Sequence, residues 1–203
     1  MISKMSAYEF ETLVSPGSLR ENCYLFWCAE TREAAVIDPG GGADAILARV
    51  RELGLKIGGI LLTHGHSDHI GAVAEVKKAA GAPVAVHAAD APLLADASLR
   101  ADRFVADGDI IPVGRTALRV LHTPGHTPGG VCYFAEGILF SGDTLFHTDV
   151  GYTHFPGGSA EDLARSIREK LYTLEETTAV YPGHEESTTI GEEKRHNLCV
   201  RAE

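Results

Sequence analysis

Strand-like apolar runs alternate along this chain with segments whose apolar positions recur at helical spacing. Tyr8 to Val14 and Asn22 to Ala29 read as strands separated by Pro16-Gly17. Ala34 to Asp38 is a third, ending in the turn Asp38-Pro39-Gly40-Gly41-Gly42. Asp44 to Leu53 places Ile46, Leu47, Val50 and Leu53 at helical spacing, with Asp44 at the N-cap or in the first turn and Gly54 as the stop. The buried strand Gly59 to Leu62 leads into Thr63-His64-Gly65-His66-Ser67-Asp68-His69, and Ala72 to Ala80 reads as the helix that follows. Val84 to His87 is a short strand and Asp90 to Ala97 a short helix. Phe104 to Val113 and Thr116 to His122 are strands joined at Gly114-Arg115. A turn-rich loop, Thr123 to Gly130, precedes a hairpin-like pair at Val131 to Phe134 and Gly137 to Ser141. Ser159 to Leu174 is an amphipathic helix with Leu163, Ile167 and Leu171 on one face. Ala179 to Tyr181 is the last strand and Ile190 to Leu198 the terminal helix.

Two strand-rich halves, each followed by helices, fit a layered α+β sandwich with sheets inside and helices outside. At 203 residues one domain, 1–203, is expected. The formal charge of −10, without runs of Lys or Arg, speaks against nucleic acid or an anionic membrane surface as a partner. Met1 to Phe10 holds no apolar signal segment and no apolar run approaches a membrane span, so a cytoplasmic protein is expected. Cys23, Cys28, Cys132 and Cys199 show neither a disulfide framework nor paired metal-ligand spacing, which agrees with that compartment.

The chemistry is concentrated after the strand Gly59 to Leu62. His64 and His66 are two residues apart, so in extended backbone they point the same way. Asp68 and His69 are adjacent and are expected to point to different sides, which suggests two neighbouring metals. Further candidate donors follow apolar strands beside glycines: His126, Asp143 and His184. Five histidines and two aspartates suffice for two ions with three terminal ligands each and one bridging carboxylate. Imidazole and carboxylate without thiolate suit Zn, Fe or Mn, zinc first, and leave coordination positions open for water.

The stretch His64-x-His66-x-Asp68-His69, followed in order by His126, Asp143 and His184, resembles the metallo-β-lactamase superfamily. The similarity runs from Asn22-Cys23-Tyr24 and Ile37-Asp38-Pro39-Gly40 to Gly191-Glu192-Glu193-Lys194. It implies an αββα sandwich of two mixed β-sheets packed face to face with helices on the outer faces. It also implies one metal on His64, His66 and His126, another on Asp68, His69 and His184, and Asp143 as the bridge. Asp68 would further orient the nucleophile. Within the superfamily the chain is similar to single-domain glyoxalase II-like hydrolases. His122 to Gly129, Ser141 to Phe146, Phe155 to Gly158, Tyr181 to Glu185 and Thr188 to Lys194 carry that similarity.

Two departures bear on substrate. Relatives commonly carry Gly-Arg-x-Asp before Phe-Pro-Gly-Gly, whereas this chain reads Gly151-Tyr152-Thr153-His154. Tyrosine replaces a fixed cation by a neutral donor with an aromatic face. The C-terminal helical domain of full-length glyoxalase II enzymes is not expected here. Tyr152, His147 and His154 are the candidate substrate contacts at the pocket mouth. The expected activity is hydrolysis of a small-molecule thioester such as acyl-glutathione, by a monomer or homodimer. The alternatives are a persulfide dioxygenase with a single iron on His64, His126 and Asp143, a lactonase or phosphodiesterase of the same fold, and a non-enzymatic metal-binding scaffold.

Overall fold

A computed structural model describes residues 7–16, 20–96 and 99–202. Gly17 of the expected Pro16-Gly17 turn, and Ala97 at the end of an expected helix, lie outside the described residues. The chain begins with strands β1 (Tyr8–Val14), β2 (Asn22–Cys28) and β3 (Glu33–Ile37), helix α1 (Ala43–Glu52) and strand β4 (Lys56–Leu61). Helices α2 (Ser67–Ile70) and α3 (Val73–Ala80), strand β5 (Val84–His87), helix α4 (Ala91–Asp96) and strand β6 (Arg103–Val105) follow. Strands β7 (Ile110–Val113), β8 (Thr116–His122), β9 (Val131–Ala135) and β10 (Ile138–Gly142) precede helix α5 (Ala160–Ser166). Strands β11 (Ala179–Pro182) and β12 (Thr188–Thr189) and helix α6 (Ile190–His196) close the chain.

β1 to β6 form one mixed sheet in sequence order, and the second, also mixed, runs β12-β11-β10-β9-β8-β7. All seven residues of β2 are buried, because the sheet is covered on both faces. With side chains alternating, Cys23, Leu25 and Trp27 meet the layer of Ile46, Val50, Val73 and Val76 from α1 and α3. Tyr24 and Phe26 point between the sheets, against Val120, Tyr133 and Phe140. The outer face of the second sheet buries Leu121, Leu139 and Val180 under Leu163 of α5 and Ile190 of α6. The αββα sandwich expected from the sequence is the fold observed. Among the described residues no helix is long and apolar enough to cross a membrane.

Three local expectations change, and the choice left open for Asp44 is resolved. Phe104 to Val113 is not one strand. β6 pairs with β5 in the first sheet and β7 with β8 in the second. Between them Gly108 takes φ 82°, and the Asp109 carboxylate accepts the Ala106 N–H at 2.9 Å, so a turn carries the chain across the sandwich. Asp44 lies in the first turn of α1, behind Gly42 at φ 68°. The Ser159 to Leu174 helix is α only to Ser166 and then winds as a π turn, Ile167–Leu171. The terminal helix stops at His196. Asn197 leaves helical geometry at ψ 128° and its amide donates to Asp149 O and Glu193 Oε2.

β10 and β11 are parallel, and β8 reaches β10 through two antiparallel steps, so all three run the same way. The loop with His126, the residue Asp143 and the turn with His184 therefore leave the same end of the second sheet. The loop after β4 brings His64 to His69 to that end from the first sheet.

Candidate metal centre

β4 delivers the chain into a stretch that turns from extended to helical backbone between His66 and Ser67. His66 is extended, at φ −69° and ψ 150°, and the single turn α2 begins at Ser67. His64 and His69 are buried, while His66 and Asp68 are partly open. The opposed directions expected for Asp68 and His69 are not observed. On a helical turn adjacent side chains diverge by about 100° rather than alternate, and both reach one group of donors with His184.

The donors form two groups. His64, His66 and His126 bring one ring nitrogen each within 4.8 Å of one another, and Asp68, His69 and His184 do the same. Asp143 lies between them. Its Oδ1 is 3.3 Å from His69 Nε2, and its Oδ2 is 3.5 Å from His126 Nε2 and 3.8 Å from His184 Nε2. His184 Nε2 is 3.2 Å from Asp68 Oδ2.

Protons on the far side of the rings settle which nitrogens face inward. The Thr63 hydroxyl donates to Asp38 Oδ2 at 2.5 Å, so it can only accept from His64 Nδ1, 3.1 Å away. That leaves a lone pair on His64 Nε2. His69 Nδ1 donates to Asp38 Oδ2 at 3.0 Å, and His126 Nδ1 donates to the Tyr152 carbonyl at 2.6 Å. His126 Nε2 is left with a lone pair, as is His69 Nε2 once that ring is neutral, and His66 Nδ1 lies 2.8 Å from His126 Nε2. His64 Nε2, His69 Nε2 and Asp143 Oδ1 are buried without hydrogen-bond partners. Buried polar atoms are ordinarily partnered, so a donor set left open in this way fits divalent cations.

Electrostatics of the metal-free cluster agree at His64, His66, Asp68 and Asp143 and oppose ligation at His69, which must give up a proton to an ion. Burial, then the neighbouring His69 and His126, holds His64 well below the ordinary imidazole range. Burial and His126 lower His66 likewise. Burial opposes charge on Asp68, but the hydrogen bond from His184 and the nearby His69 bring it down to about 2. Asp143 is lowered against the same opposition, chiefly by His69. Burial works against the proton on His69, but Asp143 and Asp38 hold it well above the usual value. Neutral His64 and His66 beside ionised Asp68 and Asp143 are the protonation states that metal ligation needs.

Residues that support the donors lie outside the sequence motif. Asp38, read as part of a turn, accepts the Thr63 N–H, the Thr63 hydroxyl and His69 Nδ1. Asp90, fully buried, accepts from Gly65 N, Thr127 Oγ1 and Gly129 N, and so ties the His64–His66 loop to the His126 loop. Glu21, also buried, has Oε1 3.9 Å from His69 Nδ1. Only Asp38 carries a signal in the sequence, as an acid at a strand end before Pro39-Gly40. Gly183 is required by close approach, since a Cβ there would sit 2.3 Å from Asp143 Oδ1 and 2.6 Å from His69 Cε1.

The cluster floors a cleft of about 860 Å³, with His66, Asp68, His126, Asp143 and His184 in its lining. Tyr152 lines it and is 67% exposed. His147 and His154 do not line it. His147 Nδ1 lies 2.8 Å from Glu186 Oε1, and the His154 ring packs between Tyr152 and Phe155, at 5.3 and 4.9 Å.

The model of the metallo-beta-lactamase superfamily matches residues 16–184. Hydroxyacylglutathione hydrolase GloC of Haemophilus influenzae is 36% identical over 202 residues, 91% of this chain and 95% of that one. Among solved structures, the BLEG-1 B3 metallo-beta-lactamase superposes with a TM-score of 0.86 at 35% identity, covering 94% of this chain and 98% of its own. TTHA1623, in a di-iron-bound form, superposes with a TM-score of 0.79 at 36% identity, covering 91% and 98%. With its histidine and aspartate donors gathered at one end of an αββα sandwich, the chain belongs to the metallo-β-lactamase superfamily and is a metallo-hydrolase of that group.

Proposed function

We propose that this protein hydrolyses thioesters of the acyl-glutathione type with two divalent ions. In this reading His64, His66 and His126 would hold one ion, Asp68, His69 and His184 would hold the other, and Asp143 would be shared between them. Zinc comes first, with iron or manganese accepted by the same donors. The observation that carries the reading is the cleft: about 860 Å³, open directly above the donor cluster, and within the range of pockets that enclose a ligand of tripeptide size. Similarity to GloC supports it.

When bound, the ions supply Lewis acidity toward an acyl carbonyl and lower the pKa of water. The chain's own groups do the rest. Asp68, ionised down to about 2, is available at working pH to accept a hydrogen bond from the attacking water and orient it. Asp38 and the Tyr152 carbonyl hold the imidazoles in the tautomers described above. The exposed rings of Tyr152 and Phe155 give the mouth an aromatic wall for the uncharged part of a substrate. A thiolate leaves without strong protonation, so no general acid is demanded of the cleft.

Metal analysis with turnover tests the proposal. Close to two divalent ions per chain and hydrolysis of S-lactoylglutathione are expected. One iron per chain, with oxygen consumed on glutathione persulfide, would replace this reading by that of a dioxygenase.

A further inference from the structure

The cleft is rich in acid. Asp68, Asp143, Asp149, Glu185 and Glu186 line it, and Arg20 is the one arginine or lysine among its described lining residues. It does not come from the segment where the resemblance leads one to expect an arginine, which here reads Gly151-Tyr152-Thr153-His154. It comes from the other side of the fold, at the end of the connection between β1 and β2.

That position is well anchored. The next residue, Glu21, is buried, and its carbonyl accepts the Ser15 N–H at 2.7 Å across the connection. Asn22 N donates to Gly183 O at 2.7 Å, and Asn22 Nδ2 donates to Pro182 O and Glu185 O, both at 3.0 Å. The base of the connection is thus fastened to the turn that carries His184. Arg20 itself is exposed and makes no hydrogen bond or ion pair among the described residues. Its backbone sits at φ 51°, in the left-handed region that suits glycine and is uncommon for a long side chain. A non-glycine residue kept in such a conformation at the edge of a site points to a use for its side chain.

Resting on the thioester reading above, we infer that Arg20 determines specificity by receiving a carboxylate on the thiol half of the substrate. The enzyme then selects thioesters of carboxylate-bearing thiols over those of neutral thiols. A guanidinium matches a carboxylate with paired donors and stays charged at any working pH. With Asp68 and Asp143 committed to the ions in that reading, Asp149, Glu185 and Glu186 still repel an anion that docks beside them, so a guanidinium among them fixes where the carboxylate sits.

The test compares wild type, Arg20→Ala and Arg20→Gly, all metal-loaded. Their substrates are S-lactoylglutathione and the lactoyl thioester of N-acetylcysteamine, which has no carboxylate on its thiol. Calorimetric binding of S-methylglutathione is measured alongside. Both variants are expected to lower the ratio of kcat/KM for the glutathione ester to that for the neutral ester by about tenfold or more, mainly through KM, and to weaken S-methylglutathione by a similar factor. Arg20→Gly is expected to melt no lower than wild type, because glycine suits this backbone, so the loss is not a folding defect. An unchanged ratio, or S-methylglutathione binding that ignores Arg20, overturns the inference. If wild type turns over neither ester, the thioester reading fails and the binding arm decides. Arg20-dependent binding of S-methylglutathione then retains the carboxylate site, and absent or Arg20-independent binding removes it.

Discussion

His69 Nδ1 and Asp38 Oδ2 are 3.0 Å apart, and both groups are buried. The same carboxylate accepts two hydrogen bonds from Thr63. It therefore sets the tautomer of His69 directly and that of His64 through the Thr63 hydroxyl. Asp38→Asn keeps the shape and tolerates the backbone at φ 48°, but turns an amide N–H toward one of these donors. We expect metal affinity to fall by about 10- to 100-fold, read by competition with a chromophoric chelator. Wild-type affinity in this variant would show that Asp38 does not orient the rings.

Asp143 touches histidines of both donor groups, at 3.3, 3.5 and 3.8 Å. Asp143→Ala is expected to lose bound metal and hydrolysis together, by roughly a thousandfold in kcat/KM, or about 4 kcal/mol. Metal analysis beside kinetics checks this. Full activity in the variant removes the bridging assignment.

Glu21 introduces a pH dependence into the metal-free protein. Burial, opposed by nearby His69, raises its carboxyl from an ordinary 4.5 to about 8. The folded chain thus keeps a proton that the unfolded chain releases. The stability contributed by Glu21 is complete below pH 4.5 and is lost as pH rises through about 8. Chelator-treated wild type is expected to lose roughly a few kcal/mol across that window relative to Glu21→Gln. Urea melts of the two proteins at several pH values measure the difference, and parallel curves would contradict it.

Gly40 lies where a loop crosses α2. An added Cβ would stand 1.7 Å from Asp68 O and 2.4 Å from Glu21 Oε2. Gly40→Ala is expected to cost about 3 kcal/mol and to disturb Asp68. Gly54, at φ 63° with nothing within 4 Å of its added Cβ, is the comparison, and its alanine variant should cost only about 1 kcal/mol. Equal denaturation midpoints for the two variants would refute the close-approach argument.

The strands, the layer order and the seven donors were legible because each is written locally. Four donors fall between His64 and His69, and the other three each follow an apolar strand. The break between β6 and β7 was not legible, since Phe104 to Val113 stays strand-like on both sides of Gly108 and only the pairing partners differ. Nor was the support beneath the donor cluster. Asp38 acts on a residue 25 positions later and Asp90 on one 39 positions later. Nothing local distinguishes Asp90 from a turn residue, and Asp38 is marked only by its place at a strand end before Pro39-Gly40. Arg20 was silent for the same reason, because its meaning depends on which carboxylates surround it.

Position 152 serves two purposes through different atoms. Its carbonyl fixes the His126 ring at 2.6 Å, while its side chain stands 67% exposed at the cleft mouth. Every amino acid supplies that carbonyl. In the proposed reading, where this side chain meets substrate, it can change from cation to phenol without loosening His126, so substrate choice varies apart from the upkeep of the donor cluster. On that reading, a library randomised at this one codon is expected to sample new specificities while His126 keeps its place.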